Sequence, residues 1–100
     1  MHNGDEILEI LEANSNIIKK FGVKKLGLFG SYVRGEQVAE SDIDILVEFG
    51  KGKKSFDSYM ELKFFLENLL GCKVDLIIND AIKPSLRRPI LSGVKYAAGL

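Results

Sequence analysis

The chain has 100 residues, 46% of them hydrophobic and 28% charged, and its 14 lysines and arginines balance 14 aspartates and glutamates. A length of this order supports one modest core that buries roughly 60–70% of the extended surface, so a single domain over residues 1–100 is expected. Zero net charge argues against the broad basic field of a nonspecific nucleic-acid binder, and the lone Cys72 excludes an internal disulfide and a cysteine-based zinc site.

In chain order, Asn3 to Gly22 reads as a helix. Asn3 can cap it with Glu6 three residues later, Ile7, Leu8, Leu11, Ile18 and Phe21 form an apolar stripe, and Gly22 supplies the stop; Asn14-Ser15-Asn16 weakens the middle. Val23 to Phe29 is the first strand, with Gly27 permitting a close backbone approach. Gly30 ends it, Ser31 to Glu36 make a short helix, and Gln37 to Glu40 connect to a second strand, Ser41 to Phe49. Ser55 to Leu70 carries apolar residues at three- and four-residue steps and is a helix stopped by Gly71; its aromatic residues are assigned to the core. Cys72 to Ile78 is a third strand, and Ser85 to Leu91 a short helix with Pro84 at its start. Pro89 is awkward there, costing about 3 kcal/mol in a helix interior. Val94 to Ala97 can add an edge strand. No apolar run approaches the roughly 20 residues of a membrane span and no signal-like segment precedes the first helix, so a cytoplasmic protein without a membrane is expected.

The second strand carries the chemistry. Its period of two sends Asp42 and Asp44 to the same face, with Cα atoms roughly 6.6 Å apart, so their carboxylates can converge on one point. Aspartate is a poor strand residue and two like charges repel, so a hard divalent cation is the natural reason to place them there; Mg²⁺ is typically held by one or two carboxylates together with phosphate oxygens. Asp75, alone among apolar residues of the third strand, is expected to be buried and to share that metal. Gly30 and Ser31, between a strand and a helix, suit an incoming phosphate. Arg34 can contact phosphate or pair with an acid such as Glu36.

Two other ion motifs fail on spacing. A phosphate loop around Gly52-Lys53 would need its first glycine at Val47 and its hydroxyl at Lys54. An EF-hand starting at Asp42 would put a ligand on Leu46 and the glycine on Val47. Gly50 to Ser55 is therefore read as a flexible basic loop.

Gly30-Ser31 followed by Arg34-Gly35, then Ser41-Asp42-Ile43-Asp44, resembles the G-S-x-x-R-G … S-D-x-D signature of the polymerase-β-like nucleotidyltransferases, in particular their small MNT-type branch. Lys73-Val74-Asp75-Leu76 and the Leu86 to Tyr96 tail are similar as well. The resemblance implies an α/β (α+β) fold, a small mixed sheet of three to four strands covered by helices. It implies transfer of a nucleoside monophosphate from a nucleoside triphosphate, ATP, to a hydroxyl. Asp42 and Asp44 would hold two Mg²⁺ ions, Asp75 would bind the metal nearest the acceptor and help deprotonate it, and Gly30, Ser31 and Arg34 would contact the nucleotide. The implied partner is a HEPN-type toxin, neutralised by adenylylation of a tyrosine; nucleic acid is not expected as a partner. Two other functions compete: an inactive antitoxin acting by binding alone, and a nucleotidyltransferase acting on a small molecule or an RNA end.

Overall fold

The computed structural model describes residues 2–100. In chain order these form α1 (Gly4–Ala13), α2 (Ser15–Lys19), β1 (Val23–Phe29), α3 (Ser31–Arg34), β2 (Ile43–Phe49), α4 (Phe56–Leu70), β3 (Val74–Ile78), a 3-10 turn (Asn79–Ala81), α5 (Pro84–Ser92) and β4 (Lys95–Tyr96). The strands make one sheet in the order β3-β2-β1-β4. β1 runs antiparallel to β2 and β4, whereas β2 and β3 are parallel. The parallel pair needs a long crossover, and the 15 residues of α4 provide it. The sheet is thus the mixed one that the resemblance implies.

One face of the sheet holds the core. Leu26, Leu28, Ile43, Ile45, Val47, Val74 and Leu76 project from it and meet Ile7, Leu11 and Ile18 of α1 and α2 and Leu62, Leu66 and Leu70 of α4, all of them buried. Each such side chain contributes about 1.5–3 kcal/mol when fully buried. α4 is held at both ends: Ser55 Oγ accepts from the Ser58 N–H at 3.1 Å, and Gly71, left-handed at φ 71°, donates to the Glu67 carbonyl. The Tyr59 hydroxyl donates to the Leu76 carbonyl at 2.7 Å and ties the helix to β3.

The expectation of one helix from Asn3 to Gly22 is corrected to two. The Asn14 side chain donates to the Ile10 carbonyl at 2.8 Å, and this local bond competes with helical continuation, as asparagine often does. The chain restarts as α2, which still buries Ile18. A second correction concerns the aromatic residues of α4. Tyr59 and Phe65 pack against the core, but Phe56 and Phe64 are 73% and 55% exposed. Phe64 lies two residues beyond Leu62, about 200° round the helix from the core-facing row.

At the carboxyl end, α5 starts at Pro84 and runs through Pro89 without breaking. Every residue of α5 keeps part of its surface in water, so the Ser85 carbonyl left without its helical donor can be solvated. β4 is shorter than expected, only Lys95 and Tyr96, paired with Leu28 and Gly27. A Cβ on Gly27 would collide with Val94, which is the close approach its sequence position suggests.

Candidate active site

Strand directions gather the candidate residues. β1 ends where β2 and β3 begin, and the register sets Phe29 opposite Asp44 and Asp44 opposite Asp75. Gly30 follows immediately, with φ 77° and ψ −149°, a conformation that side-chain-bearing residues rarely adopt. A Cβ there would collide with the Asp44 carboxylate, so glycine is required both by the backbone and by its neighbour. The Gly30 carbonyl accepts from the N–H groups of Val33 and Arg34 at 3.1 and 3.2 Å, which winds α3. Gly35, left-handed at φ 71°, ends that single turn.

The carboxylates are not equivalent. Asp44 is half-buried, and its carboxyl is held above the ordinary carboxylate range by burial first, then by the charges of Asp75 and Asp42 and a hydrogen bond with Asp75, with Arg34 opposing. Asp42 is exposed and lies one residue ahead of β2, which begins at Ile43 and not at Ser41. The reason is a reciprocal turn: Ser41 N–H donates to the Val38 carbonyl and Ser41 Oγ accepts from the Val38 N–H, both at 2.9 Å. The Asp42 charge also helps to raise the Tyr32 hydroxyl and the Cys72 thiol, though burial is the larger cause in each. Asp75 is exposed, contrary to the expectation that it is buried, because β3 lies at the edge of the sheet and its polar face is open.

Among the described residues, no three His, Cys, Asp or Glu side chains are grouped so as to hold one ion by themselves. What the strands bring together is a pair, Asp44 and Asp75, with Asp42 beside it. An all-oxygen, mutually repelling donor set fits Mg²⁺, which takes one or two carboxylates and completes its shell with phosphate and water. Soft ligands for zinc are missing from that set.

A cleft of about 460 Å³ opens beside Asp44, lined by Phe29, Gly30, Val33, Arg34 and Asp44 on one side and by Pro89, Ile90 and Gly93 on the other. Arg34 is at its rim and forms an ion pair with Glu36, one of the two options its position offered. Ser31 directly follows Gly30 at the cleft. The far wall, from α5, was not foreseen as part of the site. Its signal was Pro89 inside a short helix that ends at Gly93.

The model of the nucleotidyltransferase domain family matches residues 5–97. The protein adenylyltransferase MntA of Thermococcus cleftensis is 42% identical over 93 residues, covering 92% of this chain and 93% of its own. A solved structure of a "putative minimal nucleotidyltransferase" superposes with a TM-score of 0.81 at 31% identity, covering 94% of this chain and 95% of that one. A crystal structure of a toxin-antitoxin with AMP-PNP gives 0.69 at 27% identity, covering 99% of this chain and 75% of that one. The match to the domain model over nearly the whole chain, the Gly30-Ser31 turn against Asp44 and the mixed sheet agree: the chain belongs to the nucleotidyltransferase domain family, as a member of its minimal, MNT-type branch.

Proposed function

We propose that this protein transfers AMP from ATP to a tyrosine hydroxyl of a HEPN-type toxin and so acts as its antitoxin. The observation that carries the chemistry is the register of Asp44 with Asp75 beside the Gly30 turn, which sets two carboxylates side by side where a cleft opens against Gly30 and Asp44. The adenylyltransferase name of the Thermococcus cleftensis relative and the AMP-PNP of the toxin-antitoxin structure support the donor and the kind of acceptor. Asp42, Asp44 and Asp75 would hold two Mg²⁺ ions, which when bound supply positive charge to the triphosphate and the leaving pyrophosphate.

The chain's own residues do the rest. Gly30, without a Cβ, lets the β- and γ-phosphates approach the backbone, and Ser31 adds a hydroxyl donor. α3 is a single turn, so its help to an anion comes from these local groups and little from a macrodipole. Arg34, exposed and paired with Glu36, can exchange that partner for phosphate. Exposed Asp75 stands on the open side, where its carboxylate can take the acceptor's proton as the hydroxyl oxygen bonds to the α-phosphorus and the bond to pyrophosphate breaks. Positioning supplies most of the rate, which is why so small a chain suffices.

Incubation with ATP, Mg²⁺ and the protein encoded beside it should add the mass of AMP less water to a tyrosine of that neighbour, in a reaction lost with Asp42→Asn. Equal neutralisation of the neighbour by wild type and Asp42→Asn, with no mass change, would establish an antitoxin that acts by binding alone.

A further inference from the structure

Asp75 is exposed in the middle of an edge strand, with Asp44 as its neighbour across the parallel pair. Like charge pushes the two carboxylates apart. A strand at the edge of a sheet has ladder bonds along one rim only, so it resists such a push less than a central strand does.

The outer rim of β3 is fastened by another element. Ile43 N–H donates to the Lys73 carbonyl at 3.0 Å, so Lys73 turns its backbone groups towards β2, and by the alternation of a strand Asp75 does the same. Val74 and Leu76, on either side of Asp75, therefore turn theirs outward, where no strand follows. Side chains of α4 meet both. Glu67 Oε2 accepts from the Val74 N–H at 3.1 Å, and the Tyr59 hydroxyl donates to the Leu76 carbonyl at 2.7 Å. Both bonds are partly buried, and the carboxylate makes the first a charge-assisted one. As a crossover, α4 runs back along β3, so Tyr59 and Glu67, about 12 Å apart along the helix axis, reach residues 76 and 74 in reverse order.

These two bonds are not what seats α4. Leu62, Leu66 and Leu70 bury its core face, and Ser55 and Gly71 cap its ends. The Tyr59 hydroxyl and the Glu67 carboxylate add nothing apolar to that contact; what they share is the residue they bracket.

We infer that Tyr59 and Glu67 are positioning residues for Asp75, fastening β3 through the two residues that flank it so that its carboxylate stays opposite Asp44 and in place for the acceptor's proton. Neither touches the reacting atoms. Their effect runs through the backbone of Val74 and Leu76, and a displacement of the order of 1 Å at a reacting group can cost about 10²-fold in rate. The role rests on the transfer reaction proposed above.

The test measures AMP transfer from ATP to the protein encoded beside this one, with kcat expressed per folded molecule from melting curves. Tyr59→Phe removes one hydroxyl and Glu67→Ala one carboxylate; each should lower kcat about tenfold, and the two together about 100-fold. The KM for ATP should stay within about twofold, because Gly30 and Ser31 hold the triphosphate. Glu67→Gln keeps an acceptor oxygen for the Val74 N–H and should bring kcat back to within about threefold of wild type. Leu66→Ala, which loosens α4 without removing either bond, should leave kcat per folded molecule nearly unchanged. Amide hydrogen exchange of the metal-free protein reads the strand without the reaction: in Glu67→Ala the Val74 and Asp75 amides should exchange about tenfold faster, while Leu46, whose N–H faces β1, keeps its rate. Wild-type kcat in Tyr59→Phe and Glu67→Ala, unaltered exchange at Val74 and Asp75, an equal loss in Glu67→Gln, or an equal loss per folded molecule in Leu66→Ala would each overturn the inference. A wild type that moves no AMP would overturn the proposed function and this role together, whereas an active wild type with fully active variants overturns the role alone.

Discussion

The two faces of the sheet put alternate residues of the same strands to opposite uses. Along β2, Ile43, Ile45 and Val47 are fully buried under α1, α2 and α4, while Asp44 and Glu48, one residue away, lie on a face that α5 covers only in part. The covering helices differ accordingly. α4 buries Leu62, Leu66 and Leu70 and is capped at both ends; α5 buries none of its residues and leaves a cleft beside the carboxylates. Stability is concentrated on one face, and the other is released to carry repelling charge.

Substitutions on each face break or sharpen that contrast. The largest effect is expected from Asp44→Asn, which should lower AMP transfer by about 10³-fold or more, as loss of a group stabilising transition-state charge does. The same change should leave the metal-free protein folded and raise its melting temperature, by about 4–8 °C per kcal/mol of repulsion relieved. The sign follows from the carboxyl being raised above 3.8 in the fold: its ionised form is disfavoured above the folded value, and the penalty fades as pH falls through it. Melting curves of both proteins should therefore converge on acidification, and a variant that melts well below wild type at neutral pH would give Asp44 a structural role.

Next in size, Leu66→Ala on the opposite face should destabilise by about 2–5 kcal/mol, measured by denaturant unfolding, with transfer per folded molecule nearly unchanged. Gly30→Ala sits between the two faces. Its positive φ alone costs roughly 1–2 kcal/mol, and the added Cβ must displace the Asp44 carboxylate, so both melting temperature and turnover should fall. Ser31→Ala is the mildest: one hydroxyl donor to phosphate is lost, and the KM for ATP should rise roughly tenfold with the fold intact.

The buried face was largely readable from sequence, because the alternation in β2 and the leucine spacing in α4 are direct images of strand and helix periods. The Gly30-Ser31 turn at a strand end and its closeness to Asp44 were readable for a different reason: that order of residues is a pattern that packing does not require. Pairing direction was not readable, since neither β1 nor β3 says which neighbour it will take, and the mixed sheet came from the resemblance alone. Asp75 was assigned correctly to a strand but wrongly to the interior, because an apolar run does not reveal that its strand is an edge. Asn14 was seen as a weakness, yet only its bond back to Ile10 makes it a break. The α5 wall was missed because Pro89 read as a fault in a helix, when an open, water-bathed helix tolerates it.

The edge position of β3 gives Asp75 a second consequence. Val74, Leu76, Ile77 and Ile78 surround it in a strand whose outer rim has no neighbour in the sheet, the arrangement that invites another chain to add a strand. An exposed carboxylate in the middle of that apolar run would repel its own image when two copies meet edge to edge, so the residue assigned to chemistry should also oppose pairing along this edge. Asp75→Val should accordingly self-associate, seen as rising light scattering on concentration, whereas Asp75→Glu should not.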